Sequence, residues 1–526
     1  MRYTLLLSVF ISMLYVQLKA QNTYQNPIIS GFAPDPSICR VENDYYLVNS
    51  SFSYFPGVPV YQSKDLVNWT HLGYCLNRNS QLPLERAGIS SGIWAPTIRY
   101  YKGTFFMITT NQANRKNFIV TAQNPAGPWS EPIWLEIKGY DPDLYFEPGK
   151  CYLTYTSGEG ENGIMQCEIN PFTGRYVTQP KVIWKGTGEF GTEGPHIYKV
   201  GDFYFLMVAE GGTGLMHSVS IARSKNVDGP WEECPSNPIL TNRNKRWMRI
   251  QACGHADMVQ TPDNKWFMVH LGIRNWGSFE EQHSVLGRET HLLPMEWSKD
   301  GWPVVNGSGS SESTIKSSVA QQPDTAAFVE TFNGKLALAW NFIRNADSTL
   351  MDLKTKKGSL LLQGAATSLD SIGKIAFVGF RQRHHGVKWK VDMNFTATKP
   401  GEEAGITIFM DRRYHYDFFI TKRNEKPSLV ARRVIDDIVY EQAIVAIESP
   451  DQTLEVEANP WACDFYVLDK QGMRKQVAHM QTQFISIKVA GGFTGMYFGL
   501  YATGNGSKCT NKAEFKESWY KEVKKW

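Results

Sequence analysis

Five times between residues 44 and 270 a polar or glycine turn leads into a short run of bulky, strand-forming residues. The runs are Asp44-Tyr45-Tyr46-Leu47-Val48, Thr104-Phe105-Phe106-Met107-Ile108, Cys151-Tyr152-Leu153-Thr154-Tyr155, Phe203-Tyr204-Phe205-Leu206-Met207 and Lys265-Trp266-Phe267-Met268-Val269. Their lead residues, 45, 105, 151, 204 and 266, lie 60, 46, 53 and 62 residues apart. Between them a second echo ends on tryptophan, at Asn68-Trp69, Gly127-Pro128-Trp129 and Gly229-Pro230-Trp231. Helical periodicity is scarce. A period of about fifty residues with several strands per unit is that of a β-propeller, whose blades bury their faces by stacking on one another. Five units predict five blades.

Ten or eleven residues before each lead residue stands a turn-opening segment: Pro34-Asp35-Pro36, Trp94-Ala95-Pro96, Asp141-Pro142-Asp143, Glu193-Gly194-Pro195 and His255-Ala256-Asp257. The first strand of a propeller blade lines the central channel, so equivalent positions in five blades face one axial cavity. Asp35, Trp94, Asp141, Glu193 and His255 therefore converge. Any one of these acids is also a common turn cap. Three at the same repeat position repel each other and raise one another's pKa, which costs stability unless a function uses it.

Paired carboxyls in a neutral pocket suit glycosidic bond cleavage: one keeps a proton for the leaving oxygen, the other stays ionised. A third acid beside the proton donor raises its pKa. The composition agrees. The chain is 13% aromatic, and aromatic faces stack on sugar rings. Its formal charge of +4 falls to +2 without residues 1–20, which hold Arg2 and Lys19 and no acid. Such balance argues against nucleic acid and anionic membrane as partners.

The segments Gly31-Phe32-Ala33-Pro34-Asp35-Pro36-Ser37, Ser91-Gly92-Ile93-Trp94-Ala95-Pro96, Asp141-Pro142, Thr192-Glu193-Gly194-Pro195-His196, Glu210-Gly211-Gly212-Thr213-Gly214, Gly254-His255-Ala256-Asp257 and Gly287-Arg288-Glu289-Thr290 occur in this order. On them the chain resembles glycoside hydrolase family 43, in its β-xylosidase/α-L-arabinofuranosidase branch. The resemblance implies an inverting mechanism with Asp35 as general base, Glu193 as general acid and Asp141 as the residue that raises the acid's pKa. It implies that Arg288 reaches the terminal sugar and that Phe52, Trp94, Thr213 and His255 line its subsite. It also implies room for a structural calcium on the axis beside His255, with no cofactor required by the chemistry. Two alternatives stay open here. Asp143 shares a face with Asp141 on strand alternation, and Arg288 is also a candidate for a salt bridge with Glu289 or Glu296.

Residues 21–305 make up the expected propeller. The Gly/Ser-rich stretch Asn306-Gly307-Ser308-Gly309-Ser310-Ser311 reads as a linker or an exposed crossing, with the linker set at 306–324. Residues 325–526 return to short alternating strands, as in Trp389-Lys390-Val391-Asp392-Met393, and predict a β-sandwich. In family terms it resembles a concanavalin-like domain, and Gly492-Phe493-Thr494-Gly495 matches a loop that walls the pocket with Phe493. The expected fold class is all-β, a five-bladed β-propeller followed by a concanavalin-like β-sandwich.

A basic start, an apolar run over residues 5–16 and small Ala20 read as a signal peptide. The protein is expected to be exported, periplasmic or secreted, with no membrane anchor. Eight cysteines, none in a CxxC pair, are too sparse for a disulfide scaffold. The function expected is exo-acting release of xylose or arabinose from xylan- or arabinoxylan-type oligosaccharides. A catalytically silent sugar-binding propeller, or the same chemistry on galactose or arabinan ends, is the alternative. Oligomeric state is not legible.

Overall fold

The computed structural model describes residues 22–158, 163–278, 281–322 and 327–524. The expected signal peptide lies outside them. Five four-stranded antiparallel sheets follow one another along the chain. Their first strands are Ser37–Val41, Thr97–Tyr101, Gly139–Glu147, Glu193–Val200 and Ile250–Gln260. Each packs on the next, and the fifth packs on the first, which closes the ring. The five aromatic runs form the second strand of each blade, with Leu47, Met107, Leu153, Leu206 and Met268 fully buried between blades. Two of the echoed tryptophans close the turn before the fourth strand, Trp69 donating from Nε1 to the Leu66 carbonyl at 2.8 Å and Trp129 to that of Pro125 at 3.2 Å.

The ring is pinned on its axis by a buried charge cluster with a member from every blade. Arg99 pairs with Asp257 through one terminal nitrogen at 2.8 Å and with Asp143 through the other at 2.9 Å, and the latter also meets Nδ1 of His196 at 2.9 Å. Asp257 also accepts from the Ser37 hydroxyl at 2.7 Å, the Ile38 amide at 3.0 Å and the Tyr198 hydroxyl at 2.6 Å. Burial alone would raise both aspartates, but Arg99 and His196 outweigh it and hold their carboxyls below the usual range.

Residues beyond the propeller form an eight-stranded and a six-stranded sheet. Strand Val387–Asn394 alternates buried and half-buried residues throughout, the pattern of a sheet with one face inward. Its Trp389 meets Phe380 and Phe498 of the opposite sheet at ring distances of 5.6 and 5.1 Å. Each such burial contributes roughly 1.5–3 kcal/mol.

The two domains dock tightly. Phe342–Ile343 pairs as a strand with Tyr54–Phe55 of the first blade, Tyr54 stacks on Tyr497 at 3.8 Å and 9°, and buried Arg344 donates to the Ala87 carbonyl at 2.7 Å. The Gly/Ser-rich stretch crosses the surface with Gly307, Ser308, Glu312 and Ser313 exposed, and is anchored where Ser310 and Ser311 are buried, Asn242 brackets Ser311 through two hydrogen bonds, and Thr314–Lys316 pairs with Thr23–Gln25. All eight cysteines are buried and free, and no helix among the described residues is long and apolar enough to cross a membrane.

Candidate active site

The axial ends of the blades are bent so that particular side chains leave the pleat and face one pocket. Asp35, Asp141 and His255 sit in the left-handed region with φ of 49°, 52° and 46°, and Gly194, next to Glu193, has φ 58°. Register shifts accompany three of these points, between Tyr140 and Asp143, Glu193 and His196, and Gly254 and Asp257. A non-glycine residue held there costs about 1–3 kcal/mol, and such strain clusters at functional sites. The bulge breaks the alternation expected of the third blade. Asp143 points down the axis to Arg99, whereas Asp141 turns into the pocket beside Glu193, so the two aspartates are separated.

The carboxylates have different surroundings. Asp35 is 4% exposed, accepts from the Ser50 hydroxyl at 2.5 Å and forms a salt bridge with Arg288 at 2.8 Å. Arg288 therefore pairs with neither Glu289 nor Glu296; Glu289 is taken by Arg274 at 2.6 Å. Glu193 is pushed up to about 7, by burial first and then by the charge of Asp35, against a lowering by Arg288. Asp141 is raised strongly by burial, by Glu193 and by Asp35, and accepts from the Gly194 amide. Asp141 and Glu193 are close enough to titrate as a unit that retains a proton near neutrality.

Aromatic rings wall this polar floor. Phe52 lies 6.0 Å from Phe493, Phe493 lies 6.1 Å from Trp94 at 77°, and Trp94 lies 6.0 Å from Tyr140 at 87°. Arg288 sits 5.5 Å from both the Phe52 and Phe493 rings. Phe493 arrives from the second domain and is fixed there. Its amide donates to Ser90 Oγ at 2.9 Å, and Gly287 meets Gly495 so closely that a Cβ on Gly287 would stand 2.9 Å from the Gly495 Cα. An apolar wall over acids and one arginine fits a small uncharged polyol ring.

His255 lies against Gly194, where an added Cβ would come within 2.9 Å of its Nε2. Burial lowers it to about 4, so the imidazole is neutral. A calcium on the axis, which the resemblance allows, is not shown. Asp143 and Asp257 already share the Arg99 guanidinium, and no metal-holding group of three or more His, Cys, Asp or Glu occurs among the described residues. Thr213 lies half-buried on the adjoining turn, outside the contacts that join the other residues.

Sequence reasoning missed Ser50, Ser90, Tyr140 and His217. The polar run Asn49-Ser50-Ser51 at the end of an apolar strand was a legible signal for the first. His217 packs on Gly254, where a Cβ would stand 2.4 Å from its ring, and only the folded ring brings it near Asp35 and Arg288.

Comparison with known proteins agrees with this geometry. A family model described as glycosyl hydrolases family 43 matches residues 24–303, and one described as beta xylosidase C-terminal concanavalin A-like domain matches 329–521. The chain is 40% identical over 519 residues to a non-reducing end alpha-L-arabinofuranosidase of Bacteroides ovatus, covering 95% of each chain. It is 36% identical over 524 residues to a xylosidase/arabinosidase of Butyrivibrio fibrisolvens, covering 95% of this chain and 99% of that one. Among solved structures, a xylan beta-1,4-xylosidase from Bacillus halodurans superposes with a TM-score of 0.88 at 30% identity, over 95% of this chain and all of that one.

Proposed function

Since the chain belongs to glycosyl hydrolases family 43, we propose that it is an exo-acting, inverting hydrolase that removes a terminal pentose, L-arabinofuranose or D-xylose, from plant-derived oligosaccharides. The observation that carries this reading is the opposed surroundings of two carboxyls in one pocket. Asp35 is held in a salt bridge with Arg288, while Glu193 keeps its proton to about pH 7. A silent sugar-binding module has no use for that arrangement, which costs stability.

Glu193 gives its proton to the glycosidic oxygen as the bond to the anomeric carbon breaks. Asp35 takes a proton from a water that attacks the same carbon from the opposite face, so the product has the inverted configuration. Asp141 and the Gly194 amide keep the proton within the Glu193 site. Arg288 and Ser50 hold the base in place, and Arg288 offers its remaining donors to the terminal sugar. The Phe493 wall closes one end of the pocket and restricts attack to chain ends. The relatives named α-L-arabinofuranosidase and xylosidase/arabinosidase support a terminal pentose as substrate. The basic and apolar N-terminus supports export before action.

The test is hydrolysis of aryl α-L-arabinofuranoside and aryl β-D-xyloside, with NMR of the first-formed sugar. Release of either pentose with inversion is expected. No release from either, or retention of configuration, would overturn the reading.

A further inference from the structure

A proton donor has to lie beside the group that leaves, so the surface adjoining Glu193 receives the remainder of the substrate. That surface is a loop, residues 185–192, which ends on the acid itself. Buried Glu210 organises it, accepting from the Thr187 amide at 2.9 Å, the Thr187 hydroxyl at 2.8 Å and the Thr192 hydroxyl at 3.3 Å. Three residues before Glu193 the loop presents Phe190, which is 77% exposed. Phe190 is exposed but not loose. Its carbonyl accepts from the Gly211 amide at 2.7 Å, and its ring lies so close to Gly212 that a Cβ there would stand 2.7 Å from Cε1. The left-handed Gly211 and Gly212, with φ of 80° and 64°, make room for it.

Beyond the ring lies a hollow of about 650 Å³, lined by Phe190 with Thr187, Glu189, Glu233, Asn237 and Arg243. None of the three carboxylates lines it. Glu189 and Arg243 pair across it at 3.1 Å, which leaves the Glu233 carboxylate and the neutral side chains of Thr187 and Asn237 to face a ligand's hydroxyls. A large aromatic held in place by a glycine contact and a backbone hydrogen bond, beside a polar hollow, is well suited to stacking on a sugar ring.

We propose that Phe190 and this hollow form the leaving-group site, which stacks and hydrogen-bonds the uncharged sugar chain from which the terminal residue is cut. This rests on the hydrolase reading above. The exposed Met216, on the turn after Gly212, adds a second apolar edge to the same shelf.

The experiment compares two substrates with the same terminal sugar: an oligosaccharide with at least two sugars in its leaving group, and the glycosyl fluoride, whose leaving group is too small to touch Phe190. For Phe190→Ala, kcat/KM on the oligosaccharide is expected to fall roughly ten-fold, as for loss of one apolar subsite contact, with the fluoride changed less than about two-fold. Phe190→Trp is expected to retain oligosaccharide activity. Equal losses on both substrates, or no change on either, would overturn the inference. Wild-type protein inactive on both would instead overturn the proposed function.

Discussion

Arg288 reaches back across 253 residues of chain to hold Asp35, the proposed general base, at 2.8 Å, joining the last blade to the entrance of the first. Both side chains are about 5% exposed, so each neutralises a charge that the protein interior would otherwise expel. A lysine would keep the charge but lose the fork that contacts Asp35 and the Phe493 carbonyl together. Arg288→Lys is expected to lower kcat/KM about 100-fold or more with a nearly unchanged melting temperature, measured by steady-state kinetics and thermal unfolding.

The two proposed catalytic carboxyls are separable by leaving group. A glycosyl fluoride needs no protonation to depart, whereas an unactivated oligosaccharide does. Glu193→Gln is therefore expected to lose about 1,000-fold or more on oligosaccharide and far less on the fluoride. Asp35→Asn is expected to lose both. Equal behaviour of the two variants on the fluoride would contradict the assignment.

Because Glu193 is raised to about 7, the proposed acid is protonated below that pH and loses its proton above it. The rate is expected to fall about ten-fold per unit on the alkaline side, and Asp141→Asn should move that limb to lower pH by removing a neighbouring negative charge that favours the protonated form. The stability consequence has a definite sign. The unfolded chain ionises Glu193 near 4.5 while the folded chain keeps the proton to about 7, so this group lowers stability as pH rises through that window. Glu193→Gln should melt higher than wild type at pH 8 and not at pH 4.

Phe493 touches Phe52, Trp94 and Arg288 but none of the acids. Phe493→Ala is expected to raise KM about ten-fold and to weaken inhibition by the free pentose, with a smaller effect on kcat, as read by product-inhibition kinetics.

Arg99 supplies the axial positive charge from within the chain. Wild-type melting temperature and kcat are expected to be unchanged by EDTA or by added calcium. Arg99→Met, which strands Asp143 and Asp257 without a counter-charge, should cost on the order of 3–5 kcal/mol by denaturant unfolding.

The blades could be read along the chain because each aromatic run is the second strand of a blade, with Tyr45, Phe105 and Cys151 buried and Tyr204 and Trp266 half-buried. The convergence of Asp35, Trp94, Asp141 and Glu193 followed from the same periodicity. What escaped depends on departures from period two. A bulge at Asp141 sends Asp143 to Arg99, an outcome alternation does not foresee. Ser90 and His217 become site residues through contacts more than thirty residues distant, to which local pattern is blind.

The wall residue Phe493 has a consequence for how such a chain can change over generations. Asp141 and Glu193 lie on the first strands of their blades and Asp35 two residues before one, whereas Phe493 sits on a four-residue turn whose two flanking glycines contact Ser90 and Gly287. Exchanges at the tip of that turn can reshape the end of the pocket without moving a carboxylate. Bond cleavage and the choice of which bond to cleave are thus heritable on separate parts of the molecule, and the second can drift while the first is held constant.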